Sequence, residues 1–125
     1  MHFARRSFSY RPAAEEPPMP SRREKIEAML AKDPNDAFLR YGLSQELDKE
    51  GDHERSLAIL AELRRHQPPY VSAFFMAAQQ LVRLSRIDEA RAVLRDGIEE
   101  ARRQRNDHAA GEMSELLTQL GSLGE

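Results

Sequence analysis

The sequence predicts an all-α protein: antiparallel helix pairs stacked as a short solenoid of about six helices. Three observations predict it. Apolar residues recur at three- and four-residue spacing along most of the chain, the period of one helix face. No run of alternating β-branched residues reads as a strand. Residues between positions 37 and 70 meet identical or similar residues 34 positions later.

The first twenty residues carry Pro12, Pro17, Pro18 and Pro20 among arginines and glutamates, the composition of a disordered leader. Arg5-Arg6-Ser7-Phe8 resembles the core of a twin-arginine export signal, but Ser9 to Glu16 supply no apolar run after it. Met19 precedes the helical pattern, which suggests that it is the translation start or that the leader is dispensable.

Ser21-Arg22-Arg23-Glu24 is a capping box opening the first helix, whose apolar face holds Ile26, Met29 and Leu30. Asp33-Pro34-Asn35-Asp36 breaks it. A second helix, roughly Asp36 to Glu50, aligns Leu39, Leu43 and Leu47. Gly51-Asp52 supplies a stop and the next N-cap. A third helix runs to about Gln67 with Leu57, Leu60 and Leu63 inward. Pro68-Pro69 closes it and can open the first turn of the next. A fourth helix carries Phe74, Ala77, Ala78, Leu81 and Leu84. Ser85-Arg86 turns into a fifth with Ile87, Ala90, Leu94, Ile98 and Ala101. Asn106-Asp107 turns into a last one with Met113, Leu116, Leu117 and Leu120, ended by Gly121, and 121–125 read as a flexible tail. Such short turns make neighbouring helices antiparallel.

Laying 37–70 over 71–104 puts Gln45 on Gln79, Leu47 on Leu81, Ala58 on Ala92 and Leu60 on Leu94. Tyr41 meets Phe75, Lys49 meets Arg83 and Glu54 meets Asp88. A helix–turn–helix unit with this period resembles the tetratricopeptide repeat (TPR) family. Leu43-Ser44 stands at the family's Leu-Gly pair, Gly51-Asp52-His53 at its turn, Ser56 at a small crossing position and Pro68 at the closing proline. In the second unit Phe74 takes the bulky aromatic place, Ala78 and Ala90 the small ones, and Asp88-Glu89-Ala90 the opening of the second helix. Leu60 and Leu94 replace an aromatic, and Arg40 sits where one is common. Ser85 and Arg102 replace the turn glycine and closing proline, which predicts a longer fifth helix. The resemblance spans about 21–120: units 37–70 and 71–104, flanked by half-units 21–34 and 105–120.

The resemblance implies a right-handed solenoid whose first helices line a concave groove that binds a partner peptide or helix. The residues off the packing stripe there are Phe38, Tyr41, Gln45 and Lys49, then Phe75, Met76, Gln79 and Arg83, with Asp48 and Ser72 beside them. Aromatics and Met supply apolar anchors and Gln amides can bond a peptide backbone. The alternative is that Phe38, Phe75 and Met76 pack between helices, so Tyr41, Gln45 and Gln79, whose polar ends the core does not need, are preferred. Lys49 and Arg83 without an accompanying Asn do not make the family's clamp for a terminal carboxylate.

The formal net charge is -2 with acids and bases interleaved, so no nucleic-acid footprint is expected. No apolar stretch approaches a membrane span. The chain has no Cys, which removes disulfides and thiol chemistry and agrees with a cytoplasmic protein. His2, His53, His66 and His108 show no metal-site spacing, and no phosphate loop or nucleophile motif occurs. No cofactor, metal or catalytic residue is therefore expected. Glu99-Glu100 and Arg102-Arg103 read as a solvated face. A protein-interaction adaptor, monomeric or a weak homo-oligomer, is the expected function. Self-association through Met113, Leu116, Leu117 and Leu120 is the structural alternative, and an enzyme the remote one.

Overall fold

The computed structural model describes residues 18–121; the leader upstream of Pro18 and the tail beyond Gly121 lie outside the described residues. Among the described residues six helices follow one another: α1 (Arg22–Lys32), α2 (Ala37–Lys49), α3 (His53–Arg64), α4 (Val71–Arg83), α5 (Ile87–Arg103) and α6 (Asp107–Gly121). There is no strand among the described residues. Each helix packs on the next, and α4 also touches α6.

Side-chain caps set most of the starts. The Ser21 hydroxyl accepts from the Glu24 amide at 3.1 Å while the Ser21 amide donates to the Glu24 carboxylate at 2.8 Å, the reciprocal capping box. Asp36 caps α2 through the Leu39 amide at 2.9 Å. Asn106 accepts from the Ala109 amide at 3.1 Å at the start of α6.

Cross-links show the directions. Arg22 pairs with Glu46 at 3.0 Å and Arg23 with Glu50 at 2.9 Å, so the start of α1 lies beside the end of α2. Arg40 near the start of α2 pairs with Glu62 near the end of α3. Arg91 near the start of α5 donates to the Leu120 carbonyl at 2.7 Å near the end of α6. Consecutive helices are therefore antiparallel. Asp48 and Arg83 pair at 2.5 Å, which brings the C-terminal ends of α2 and α4 side by side.

The core has two parts. The larger joins α3 to α6 around Leu60, Leu63, Phe74, Leu94, Ile98, Met113 and Leu120. The smaller is Ile26, Leu43 and Leu47 between α1 and α2, and Ile59 touches both. Residues 34 apart play equal parts: Leu60 and Leu94 are both 0% exposed, as are Ser56 and Ala90 at the helix crossings. Small residues there let the backbones approach.

The two inter-helix turns repeat as well. Gly51 has φ 87 and Ser85, its equivalent, has φ 63. The missing glycine did not change the turn; a serine adopts the left-handed backbone in its place, at a steric cost a glycine avoids. Ser85→Gly is expected to raise stability by about 0.5–1 kcal/mol. A thermal melt unchanged or lowered would contradict the strain.

Several expectations need correction. The third helix stops at Arg64, three residues before Gln67, and α4 starts at Val71. Pro68 and Pro69 thus lie in the connection and not in a first helical turn. The Tyr70 amide reaches back to the Leu63 carbonyl at 2.9 Å, so the chain leaves the helix before the prolines require it. Met29, placed on the apolar face of α1, is 48% exposed; among the described residues α2 is the main cover of this helix. Glu100 is not on a solvated face: it is buried, held by Arg103 and, at 2.9 Å, by the Gln104 amide, which also donates to the Pro69 carbonyl at 2.8 Å. The fifth helix, with 17 residues, is the longest of those described, as the substitutions at its ends predict.

Candidate functional site

The helices α2, α4 and α6 form one layer, and two clefts lie along it. The smaller, about 170 Å³, runs between α2 and α4 and is lined by Gln45, Asp48, Lys49, Met76, Gln79 and Arg83. The larger, about 580 Å³, runs between α4 and α6. Its α4 wall is Phe75, Gln79, Val82 and Arg83; its α6 wall is Glu112, Glu115, Leu116 and Gln119. Gln79 and Arg83 border both.

A buried polar chain fixes the layer on the helices behind it. The Ser56 hydroxyl donates to the Ser44 carbonyl at 2.7 Å, and the Gln80 amide donates to the Ser56 hydroxyl at 2.9 Å. Ser44 donates to the Tyr41 carbonyl at 2.6 Å and contacts the Met76 sulfur at 3.6 Å. Gln80 is 1% exposed and Gln79, one residue earlier, is exposed. A helix turns about 100° per residue, so the two amides face different ways: one ties helices together and the other lines the clefts.

Asp48 is the junction at one end. Its carboxylate takes Arg83 from α4 and, at 2.8 Å, the Nδ1 of His53 from α3. His53 thus has a partner in the turn that the family usually fills with an aromatic. Arg83 enters the groove with its charge already matched.

The expected site residues divide into three groups. Gln45, Lys49, Met76, Gln79 and Arg83 come together around the α2–α4 cleft, and Phe75 joins Gln79 and Arg83 in the α4–α6 groove. Phe75 and Met76 each line a cleft and also pack against the core. Tyr41 lines neither cleft. It is half-buried with its ring 5.4 Å from that of Tyr70 at 46°, and burial pushes both phenols above their usual pKa. Phe38 is 71% exposed on the first turn of α2 and also lines neither, so it does not pack between helices.

The α6 wall was missed. Glu112, Glu115, Leu116 and Gln119 recur at helical spacing on one face, so the signal was present beside the apolar stripe. That stripe is mostly consumed inside the chain: Met113 is 0% and Leu120 1% exposed, leaving Leu116 and Leu117 half-buried. The surface expected to self-associate therefore loses its two innermost members.

On the opposite layer a cleft of about 290 Å³ holds Arg64, Arg65 and Arg103 among Asp96, Glu99 and Glu100. Arg64 lies 5.9 Å over the Phe74 ring, and burial lowers its pKa from the usual guanidinium value. Its neighbours balance charge against charge. Among the described residues no cluster of three or more His, Asp or Glu could hold a metal ion. No described helix is long and apolar enough to cross a membrane.

Stacked antiparallel helix pairs with a grooved layer of first helices define a helical-repeat protein. No family model matches the sequence, and no curated protein matches it. Solved structures do. A tetratricopeptide repeat domain protein from Salinibacter ruber, solved by NMR, is 32% identical; the match covers 74% of this chain and 93% of that one, with a TM-score of 0.69. A crystal structure of a tetratricopeptide repeat domain protein from the same organism is 31% identical over 71% of this chain and 99% of that one, TM-score 0.65. A Bordetella parapertussis protein, 22% identical, shares the fold over 83% of this chain and 90% of its own, with a TM-score of 0.71. The chain belongs to the tetratricopeptide repeat family.

Proposed function

We propose that this chain is a non-catalytic, cytoplasmic adaptor that holds a peptide or helical segment of a partner protein along the layer of α2, α4 and α6. Its repeat units are 37–70 and 71–104, with 21–34 and 105–120 covering the ends. The observation that carries the reading is the α4–α6 groove, where the apolar Phe75, Val82 and Leu116 lie among Gln79, Glu112 and Glu115. A few anchors with polar groups placed around them is the pattern of peptide recognition by a preformed surface. Helical repeats keep such a surface rigid, because each unit is braced by the next.

Affinity capture from the source cytosol tests it, with the parent and a Phe75→Ala/Gln79→Ala variant as baits, both checked by thermal melting. A partner retained by the parent and lost by at least tenfold with the variant is the expected result. Equal capture by both baits would take recognition away from this groove.

A further inference from the structure

We propose that the α4–α6 groove receives the chain's own N-terminal segment, residues 3–11. The inference rests on reading the concave layer as a recognition surface and names an occupant for it. Charge comes first. The groove wall on α6 carries Glu112 and Glu115, and Arg83, the cation across from them on α4, is bound to Asp48 at 2.5 Å. Glu112 has only His108, 3.5 Å away on its own exposed helix face, and Glu115 has no ion-pair partner among the described residues. The groove thus offers two carboxylates above an apolar floor of Phe75, Val82 and Leu116.

Residues 3–11, Phe-Ala-Arg-Arg-Ser-Phe-Ser-Tyr-Arg, supply the complement. They hold Arg5, Arg6 and Arg11 interleaved with Phe3, Phe8 and Tyr10, and the first acid of the chain is Glu15. Arginine forks match carboxylates in two-bond geometry, and aromatic rings fill apolar floors.

Topology brings the segment to the right end. The Arg22–Glu46 and Arg23–Glu50 pairs fix the start of α1 beside the end of α2. The Asp48–Arg83 pair puts the end of α4 next to it, and Gln119, near the end of α6, lines the same groove as Arg83. The chain therefore enters the fold at the end of the layer where the groove opens. Residues 12–17 can span about 20 Å when extended. Occupancy by the chain's own segment would oblige a partner of the same basic and aromatic chemistry to displace it.

The test uses the full chain carrying Phe8→Trp. The sequence has no Trp, so the indole is the sole tryptophan emitter. Docking predicts emission shifted to the blue at all protein concentrations, with the shift lost on adding Glu112→Gln/Glu115→Gln and reduced in 1 M salt, where the screening length falls to about 3 Å. Circular dichroism confirms that the added substitutions leave the helices intact. Emission of a fully hydrated indole in the parent background would overturn the proposal. So would a blue shift indifferent to the two glutamines, which places the segment elsewhere. A blue shift that fades on dilution would mean docking on a second copy and would overturn the intramolecular form. If the indole docks while no partner is captured through the groove, this inference stands and the adaptor reading falls. A groove-dependent partner with a hydrated indole does the opposite: the adaptor reading stands and this inference falls.

Discussion

Gly97→Val is expected to destabilise the protein by about 3 kcal/mol, the upper end of what overpacking a core costs. Gly97 is where α5 touches α4 and α6 at once. A Cβ there would lie 2.6 Å from the Met113 sulfur and 2.6 Å from the Phe74 Cβ, with the Phe74 Cγ at 2.9 Å. The sulfur ends a flexible side chain, but Met113 is 0% exposed and enclosed by the core. The Phe74 Cβ is bound directly to the α4 backbone and cannot rotate away. Relief requires α5 to move from its neighbours, which opens contacts along the whole larger core. The better helix propensity of valine recovers only a few tenths of a kcal/mol. Gly111 on α6 supplies the control: nothing lies within 4 Å of its virtual Cβ, and it is exposed. Gly111→Ala should therefore stabilise by about 0.8–1 kcal/mol through propensity alone. Thermal melts of both variants check the pair. Similar shifts of the same sign would mean that crowding at Gly97 is not what keeps it glycine.

The sequence did not flag Gly97. Its equivalent in the preceding unit is Leu63, so the repeat alignment pointed to a large residue at that place. The reason becomes visible only with the partners in position. The first unit has Arg40 where the second has Phe74, and Arg40 pairs with Glu62. Leu63 is wholly buried in the unit that has the arginine, and Gly97 faces the ring in the unit that has Phe74. A volume exchange of this kind preserves the fold while hiding from residue-by-residue comparison.

What local chemistry encodes was legible: helix faces from apolar spacing, starts from Ser21, Asp52 and Asn106, and the repeat from its period. What depends on neighbouring helices was not. Glu100 looked like one more surface acid until Gln104 and the Pro69 carbonyl were seen around it. The hydroxyl of Tyr41 is what the sequence offers for recognition, and its ring contact with Tyr70 is visible only in the fold. Gln79 and Gln80 are chemically identical, and only rotation about the helix axis assigns one to the clefts and the other to Ser56. Half of the larger groove lies on α6, where the apolar stripe dominates the pattern although Glu112 and Glu115 share a face with Leu116.

Leu60→Ala is the substitution expected to cost most, about 2–5 kcal/mol, as for other wholly buried leucines. Leu60 is 0% exposed on α3, the helix between the two clusters. Its neighbour Ile59 is the side chain that touches both. The truncation combines lost burial with a cavity that packed helices fill only in part. Total stability of a domain this size is about 5–15 kcal/mol, so the loss is a large fraction of it. Stability in stacked repeats is a sum of unit and interface terms, which makes the damage uneven along the chain. Among the described residues the α1–α2 side has Ile26, Leu43 and Leu47 as its buried core, with Leu30 and Leu39 partly buried against them, whereas α4 to α6 keep the rest of the larger cluster. Amide exchange should therefore accelerate more in α2 than in α6 when Leu60 is truncated. A lower melting temperature with equal acceleration in both helices would show one cooperative unit in place of two coupled ones. A melt matching the parent would remove Leu60 from the core altogether.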